Sequence, residues 1–180
     1  ALLIYNQNLP KDRSPKLLGI NPGASYGSSK KWYPREFALV ATHLSKKYDI
    51  IIFGGAAEKN MAADIEKYLN QNGVENYENL AGKTSISSLI RKIATLDLFI
   101  TGDSGPMHVA SAFQIPTISI FGPTNDKETS QWKNEKSFIV KKNLECQPCM
   151  KRTCPLSHHD CMKLIKPEDV MIAVEAVNDL

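Results

Sequence analysis

Two stretches of this 180-residue chain combine residue types that could hold a phosphate. The first is Thr101-Gly102-Asp103-Ser104-Gly105-Pro106-Met107-His108. Proline suits the start of a helix, where its missing N–H would have no partner anyway. A helix opening there presents free backbone N–H groups and the positive end of its dipole. Ser104 and Gly105 are small enough to let an anion approach that backbone. His108, in the first turn, could donate to the same phosphate. Asp103 carries the wrong charge for that partner, so a neutral group such as a sugar hydroxyl is expected against it. Taken alone, Asp103 and Ser104 read equally well as helix caps. The second stretch is Asn21-Pro22-Gly23-Ala24-Ser25-Tyr26-Gly27-Ser28-Ser29-Lys30-Lys31-Trp32. Its small residues make a backbone cradle and its lysines a mobile cation, unless the loop is simply exposed and the lysines solvated. It lacks the GK[ST] ending of a P-loop, which argues against an ordinary NTPase.

A third group is Cys146-x2-Cys149-x4-Cys154-x6-Cys161, with His158 and His159 inside it. Cysteines gathered this tightly brace something local and do not staple a whole secreted domain. Four soft ligands in so short a loop suggest a closed structural zinc site on Cys146, Cys149, Cys154 and Cys161. Two local disulfides, or four small buried side chains, are the other readings. If zinc is held, its removal should loosen the segment and leave nucleotide affinity largely intact.

The elements that must position these groups follow from periodicity. Lys16 to Ile20 reads as a strand that stops at Asn21-Pro22-Gly23. From Pro34, a helix carries Phe37, Val40, Ala41, Leu44 and Tyr48 on one face. Ile50-Ile51-Ile52-Phe53 is apolar and β-branched throughout, as in a strand buried on both sides. A helical stripe follows at Met61, Ile65, Tyr68 and Leu69. Ser85 caps another helix, with Ile86, Leu89, Ile90 and Ile93 on its face. Leu98-Phe99-Ile100, Thr117 to Phe121 and Phe138-Ile139-Val140 are further strands. A helix leads on from Met107, and a last one starts at Pro167 and buries Val170, Ala173, Val174 and Val177. Alternation of this kind implies an α/β, Rossmann-like three-layer sandwich around a parallel sheet. Ligands collect at the C-terminal strand ends of such sheets, where segments 21–31, 54–58, 101–108 and 122–125 all fall. Any one of these could be plain turn chemistry; four at one edge favour a binding site.

Bulk composition is compatible with this and excludes other classes. A net charge of +3 is too small to argue for nucleic acid. No apolar run approaches a membrane span, and no basic-then-apolar leader opens the chain. A reduced, cytoplasmic setting is therefore expected for the cysteines. The start at Ala1-Leu2-Leu3-Ile4-Tyr5 lacks methionine, as if cut from something longer.

Asn21-Pro22-Gly23-Ala24 … Lys30-Lys31-Trp32, together with Gly102-Asp103-Ser104-Gly105-Pro106-Met107-His108-Val109-Ala110, resembles the ADP-heptose:lipopolysaccharide heptosyltransferases, nearest the heptosyltransferase II branch. Ile115-Pro116-Thr117 … Ile120-Phe121-Gly122-Pro123-Thr124 fits the same pattern, and the likeness runs from about Leu17 onward. The resemblance implies the C-terminal half of a GT-B glycosyltransferase, with residues 1–180 one nucleotide-sugar-binding domain that includes the cysteine segment 146–161. On this reading the acceptor-binding N-terminal domain, and the catalytic base with it, are absent. The implied donor-binding residues are Lys30 at the diphosphate, Glu58 at the ribose, Asp103 at the heptose hydroxyls, Ser104 and Gly105 as diphosphate-binding backbone, and His108. Trp32-Tyr33-Pro34 carries one residue more than the family's usual Trp-Pro, which keeps Lys31 beside Lys30 as a phosphate partner. The partners implied are ADP-L-glycero-D-manno-heptose and the lipopolysaccharide inner core, with no catalytic cofactor and with room for peripheral contact at the inner membrane. The alternatives are another GT-B nucleotide-sugar transferase, an epimerase, or a zinc-dependent interaction module, drawing on the cysteines and Lys151-Arg152, that uses the Rossmann body as scaffold.

Overall fold

The computed structural model describes residues 14–178, so the Ala1–Tyr5 opening lies outside the described residues. Strand β1 is Lys16–Asn21, and after a 3-10 turn at Ser28–Lys30 comes helix α1, Pro34–Leu44. Strand β2 (Tyr48–Ile52) and helix α2 (Lys59–Gln71) follow, then β3 (Tyr77–Asn79) and α3 (Ile86–Ile93). The second half holds β4 (Leu98–Gly102), α4 (Gly105–Ala112), β5 (Thr117–Ile120), the single turn α5 (Asp126–Thr129) and β6 (Ser137–Val140). It closes with α6 (Asp160–Lys163) and α7 (Pro167–Asn178). The strands form one sheet in the order β3-β2-β1-β4-β5-β6, and every pairing is parallel. This is the doubly wound α/β order.

Side chains alternate across a strand, and β2 shows what that does here. Ile50 and Ile52 enter one buried cluster with Phe37, Val40, Ile65 and Val174. Ile51 and Phe53 enter a second with Phe99, Ile93 and Ala110. Helices α1, α2 and α7 therefore cover one face of the sheet, and α3 and α4 the other. Pro34 opens α1, and Ser85 caps α3 by accepting from the Ser88 amide at 3.1 Å.

Some expectations need correction. Tyr48 begins β2 and is not on α1. Strand β3, Tyr-Glu-Asn at the sheet edge, is too short and polar to show a pattern. Ile86 is 79% exposed at the start of α3, off the buried face expected for it. Helix α4 starts at Gly105, two residues before Met107. No described helix is long and apolar enough to cross a membrane.

Candidate functional site

The chain leaves β1 toward one face of the sheet and β4 toward the other, so the ends of these neighbouring strands open a crevice. Asn21, the last residue of β1, bridges it. Its Nδ2 donates to Thr101 Oγ1 at 3.2 Å and to Ser104 Oγ at 3.1 Å. Thr101 Oγ1 and Ser104 Oγ also lie 3.1 Å apart. Ser104 thus occupies the N-cap position of α4 while its hydroxyl faces Asn21 and Thr101, and no side chain caps that helix. The capping reading of Ser104 falls, and the positive end of α4 faces the crevice without a side-chain partner.

Lys30 reaches into the same place. Its Nζ lies 2.5 Å from Asp103 Oδ2, with the side chains only 11% and 6% exposed. Thr124 Oγ1 donates to the same carboxylate oxygen at 2.6 Å, and Thr129 Oγ1 at 3.3 Å. Burying a carboxylate is costly unless it is paired and hydrogen-bonded, as Asp103 is here. The ammonium lies 4.7 Å from the Tyr26 ring centroid, within cation–π range. Asp103 therefore faces Lys30, an arrangement the sequence did not suggest.

Other expected residues fall at varying distance from this pair. Gly105 opens α4, and His108 stands exposed in its first turn. Glu58 accepts from the Gly55 amide at 2.8 Å. A β-carbon on Gly23 would strike the Glu58 side chain, so Glu58 lies against the loop that follows β1. Lys31 stays out of the crevice network; its amide donates to the Ser28 carbonyl at 3.1 Å. Thr129 and Tyr26 were not expected at the site. Thr129 sits on a four-residue helix too short for periodicity, and Tyr26 was hidden among the small residues of its loop. Thr124 and Asn21 fall inside the sequence motifs, but nothing local marks them as partners of Asp103 and Ser104.

The four cysteines are free thiols, Cys161 buried and the others partly so. All four line one cavity of about 20 Å³, together with Ser29, Pro123 and Gln147. Burial pushes the Cys161 thiol up to about 11, and the neighbouring Cys149, Cys154 and Cys146 add to the effect. Backbone amides, that of His159 foremost, draw Cys154 below the ordinary thiol value. Among the described residues, no group of three or more His, Cys, Asp or Glu side chains is arranged to hold a metal ion. Tetrahedral zinc needs sulfurs about 2.3 Å from one common point. The thiols share a cavity without meeting that demand, so the zinc expectation lacks geometric support.

A larger cavity of about 450 Å³ lies between α1 and α7, lined by Leu39, Val40, Met171 and Ile172 among others. Its walls are mostly helix sides, whose backbone N–H groups are already bonded, so size alone does not mark a phosphate site.

The sequence matches glycosyltransferase family 9 (heptosyltransferase) over residues 5–159. It is 48% identical over 157 residues to lipooligosaccharide heptosyltransferase 2 of Campylobacter jejuni, covering 87% of this chain and 49% of that protein. The structure resembles E. coli ADP-heptose lps heptosyltransferase II, with a TM-score of 0.74 and 25% identity, covering 98% of this chain and 50% of that one. It also shares the fold of E. coli heptosyltransferase WaaC with ADP, at a TM-score of 0.72 and 17% identity, covering 98% and 48%. The chain spans about half the length of the curated Campylobacter jejuni relatives it matches.

Proposed function

The chain belongs to glycosyltransferase family 9 (heptosyltransferase), and from that premise we propose that its 180 residues form the donor-binding half of an enzyme transferring heptose from ADP-L-glycero-D-manno-heptose to the lipopolysaccharide inner core. One observation carries the reading: the Lys30 ammonium is held 2.5 Å from Asp103, at the crevice that the uncapped end of α4 faces. Glycosyl transfer leaves a cation-like anomeric carbon and a departing diphosphate, so the protein's largest contribution is to stabilise that leaving charge. Lys30 supplies ammonium N–H donors, with Asp103 offsetting their charge, and Gly105 a backbone N–H. His108 waits at the rim as a third donor. Asp103 keeps Lys30 oriented through the 2.5 Å contact between them. Glu58, across Gly23, is the acidic group for the ribose hydroxyls.

The acceptor and the general base belong, on this reading, to a part of the protein outside these residues. On the same reading the reaction belongs in the cytoplasm, with peripheral contact at the inner membrane. Titration calorimetry with ADP, UDP and GDP tests the reading. ADP should bind clearly more tightly than the other two. Preference for UDP or GDP would move the chain to another nucleotide-sugar chemistry, and no nucleotide binding at all would sink the proposal.

A further inference from the structure

Residue Ser29 immediately precedes Lys30, is 2% exposed, and has all its polar groups engaged by the cysteine-bearing segment. Its amide donates to the Arg152 carbonyl at 3.1 Å. Its hydroxyl donates to the Lys151 carbonyl at 2.5 Å. Its carbonyl lies 2.9 Å from His159 Nε2, and the only group that can donate there is the imidazole N–H. In the neutral imidazole this leaves Nδ1 to accept from the Tyr33 hydroxyl, 2.8 Å away. His159 itself sits in left-handed backbone at φ 58°, a conformation a non-glycine residue keeps only where its surroundings hold it.

The neighbouring residues repeat the pattern. The Tyr26 hydroxyl donates to the Met150 carbonyl at 2.8 Å, so three consecutive carbonyls, 150 to 152, receive donors from the loop. A β-carbon on Gly27 would strike the Arg152 carbonyl, and only glycine permits so close an approach. The Arg152 guanidinium lies 5.2 Å from the Tyr26 ring, whose centroid is also near Lys30 Nζ. The loop from Tyr26 to Lys30 has one 3-10 turn of its own, and the segment from Met150 to His159 supplies its framework.

We infer that His159 is a positioning residue for Lys30: by holding the Ser29 carbonyl from one side and Tyr33 from the other, it fixes the backbone from which the phosphate-binding lysine projects. The inference rests on the donor-binding role proposed above. It also revises the expectation that disturbing the cysteine segment leaves nucleotide affinity intact, because Cys146, Cys149, Cys154 and Cys161 line their cavity together with Ser29.

The test compares ADP with adenosine by calorimetry on the 180-residue chain and its variants. Adenosine lacks the diphosphate and does not use Lys30. His159→Ala should weaken ADP about five- to tenfold, the scale of a lost hydrogen-bonded constraint, and leave adenosine unchanged. In a Lys30→Ala background, His159→Ala should add almost nothing, because the two act through one contact. His159→Gln, which keeps an N–H donor for the Ser29 carbonyl, should recover most of the ADP affinity. Should the alanine variant fail to fold, Tyr33→Phe gives the same comparison with one hydroxyl removed. Equal losses for ADP and adenosine, or losses additive with Lys30→Ala, overturn the positioning role while the donor-site reading stands. Failure of the unsubstituted chain to bind ADP overturns both.

Discussion

At the scale of single residues, the site turns on which lysine carries the work. Lys30 Nζ is paired with Asp103, whereas among the described residues Lys31 makes only a backbone turn contact. Lys30→Ala should therefore cost about 1.5–3 kcal/mol of ADP binding, roughly ten- to a hundredfold in Kd. Lys31→Ala should cost far less, and equal small losses would return the loop to a solvated surface feature. The residue types for phosphate chemistry were legible in the sequence. Their pairing was not, because Lys30 and Asp103 lie 73 residues apart and nothing local signals that one will neutralise the other. The thiols give a second prediction. Thiolate is the reactive form, so near neutral pH iodoacetamide should label Cys154 ahead of Cys161. Burial raises Cys161 to about 11, above its ordinary value of 9.0, so the folded state holds that proton more tightly than the unfolded chain. Its contribution to stability is whole below pH 9 and is lost as pH rises toward 11. Mass spectrometry of the labelled chain checks the order, and early labelling of Cys161 would contradict the burial seen here.

Elements were legible where a long apolar stripe or run announced them, as in α1, β2 and α7. They were missed where the sheet's geometry decides, as in β3, whose three residues become a strand because the edge of β2 offers register to Tyr77, Glu78 and Asn79. Helix α7 shows how an element is fixed at its start. Asp169 accepts from the Lys166 amide at 2.8 Å and from Lys142 Nζ at 2.9 Å, which ties the helix to the chain leaving β6. Burial by itself would push the Asp169 carboxyl up, but these two donors outweigh it and the net shift is downward. A lowered carboxyl stabilises the fold above its unfolded value, and that stability is lost as pH falls through its folded value. Asp169→Asn should therefore lower Tm at pH 7, and the gap between variant and parent should narrow as the medium is made acidic through the carboxylate range. A gap that stays constant with pH would mean the asparagine disturbs packing and not charge.

Across the whole molecule, the doubly wound plan followed from strand–helix alternation, and the parallel sheet bears it out. The order β3-β2-β1-β4-β5-β6 did not follow, since alternation alone leaves open on which side of β1 each new strand docks. That order brings segments 21–31 and 101–108 together into one crevice. On the proposed division of labour, this chain should bind ADP yet transfer no heptose to core acceptor. Chromatographic detection of heptosylated acceptor with this chain alone would sink the division. The same strand order bears on how the chain is made. Leu18 of β1 pairs with Leu98 of β4, 80 residues later. At a synthesis rate of about 5–20 residues per second, β1 precedes β4 out of the ribosome by roughly 4–16 s. During that interval the strand destined for the centre of the sheet is an open, apolar edge, the kind of surface that recruits other nascent chains. Slow translation between β2 and β4 should lengthen that exposure, making aggregation during synthesis more sensitive to this stretch of message than to any other.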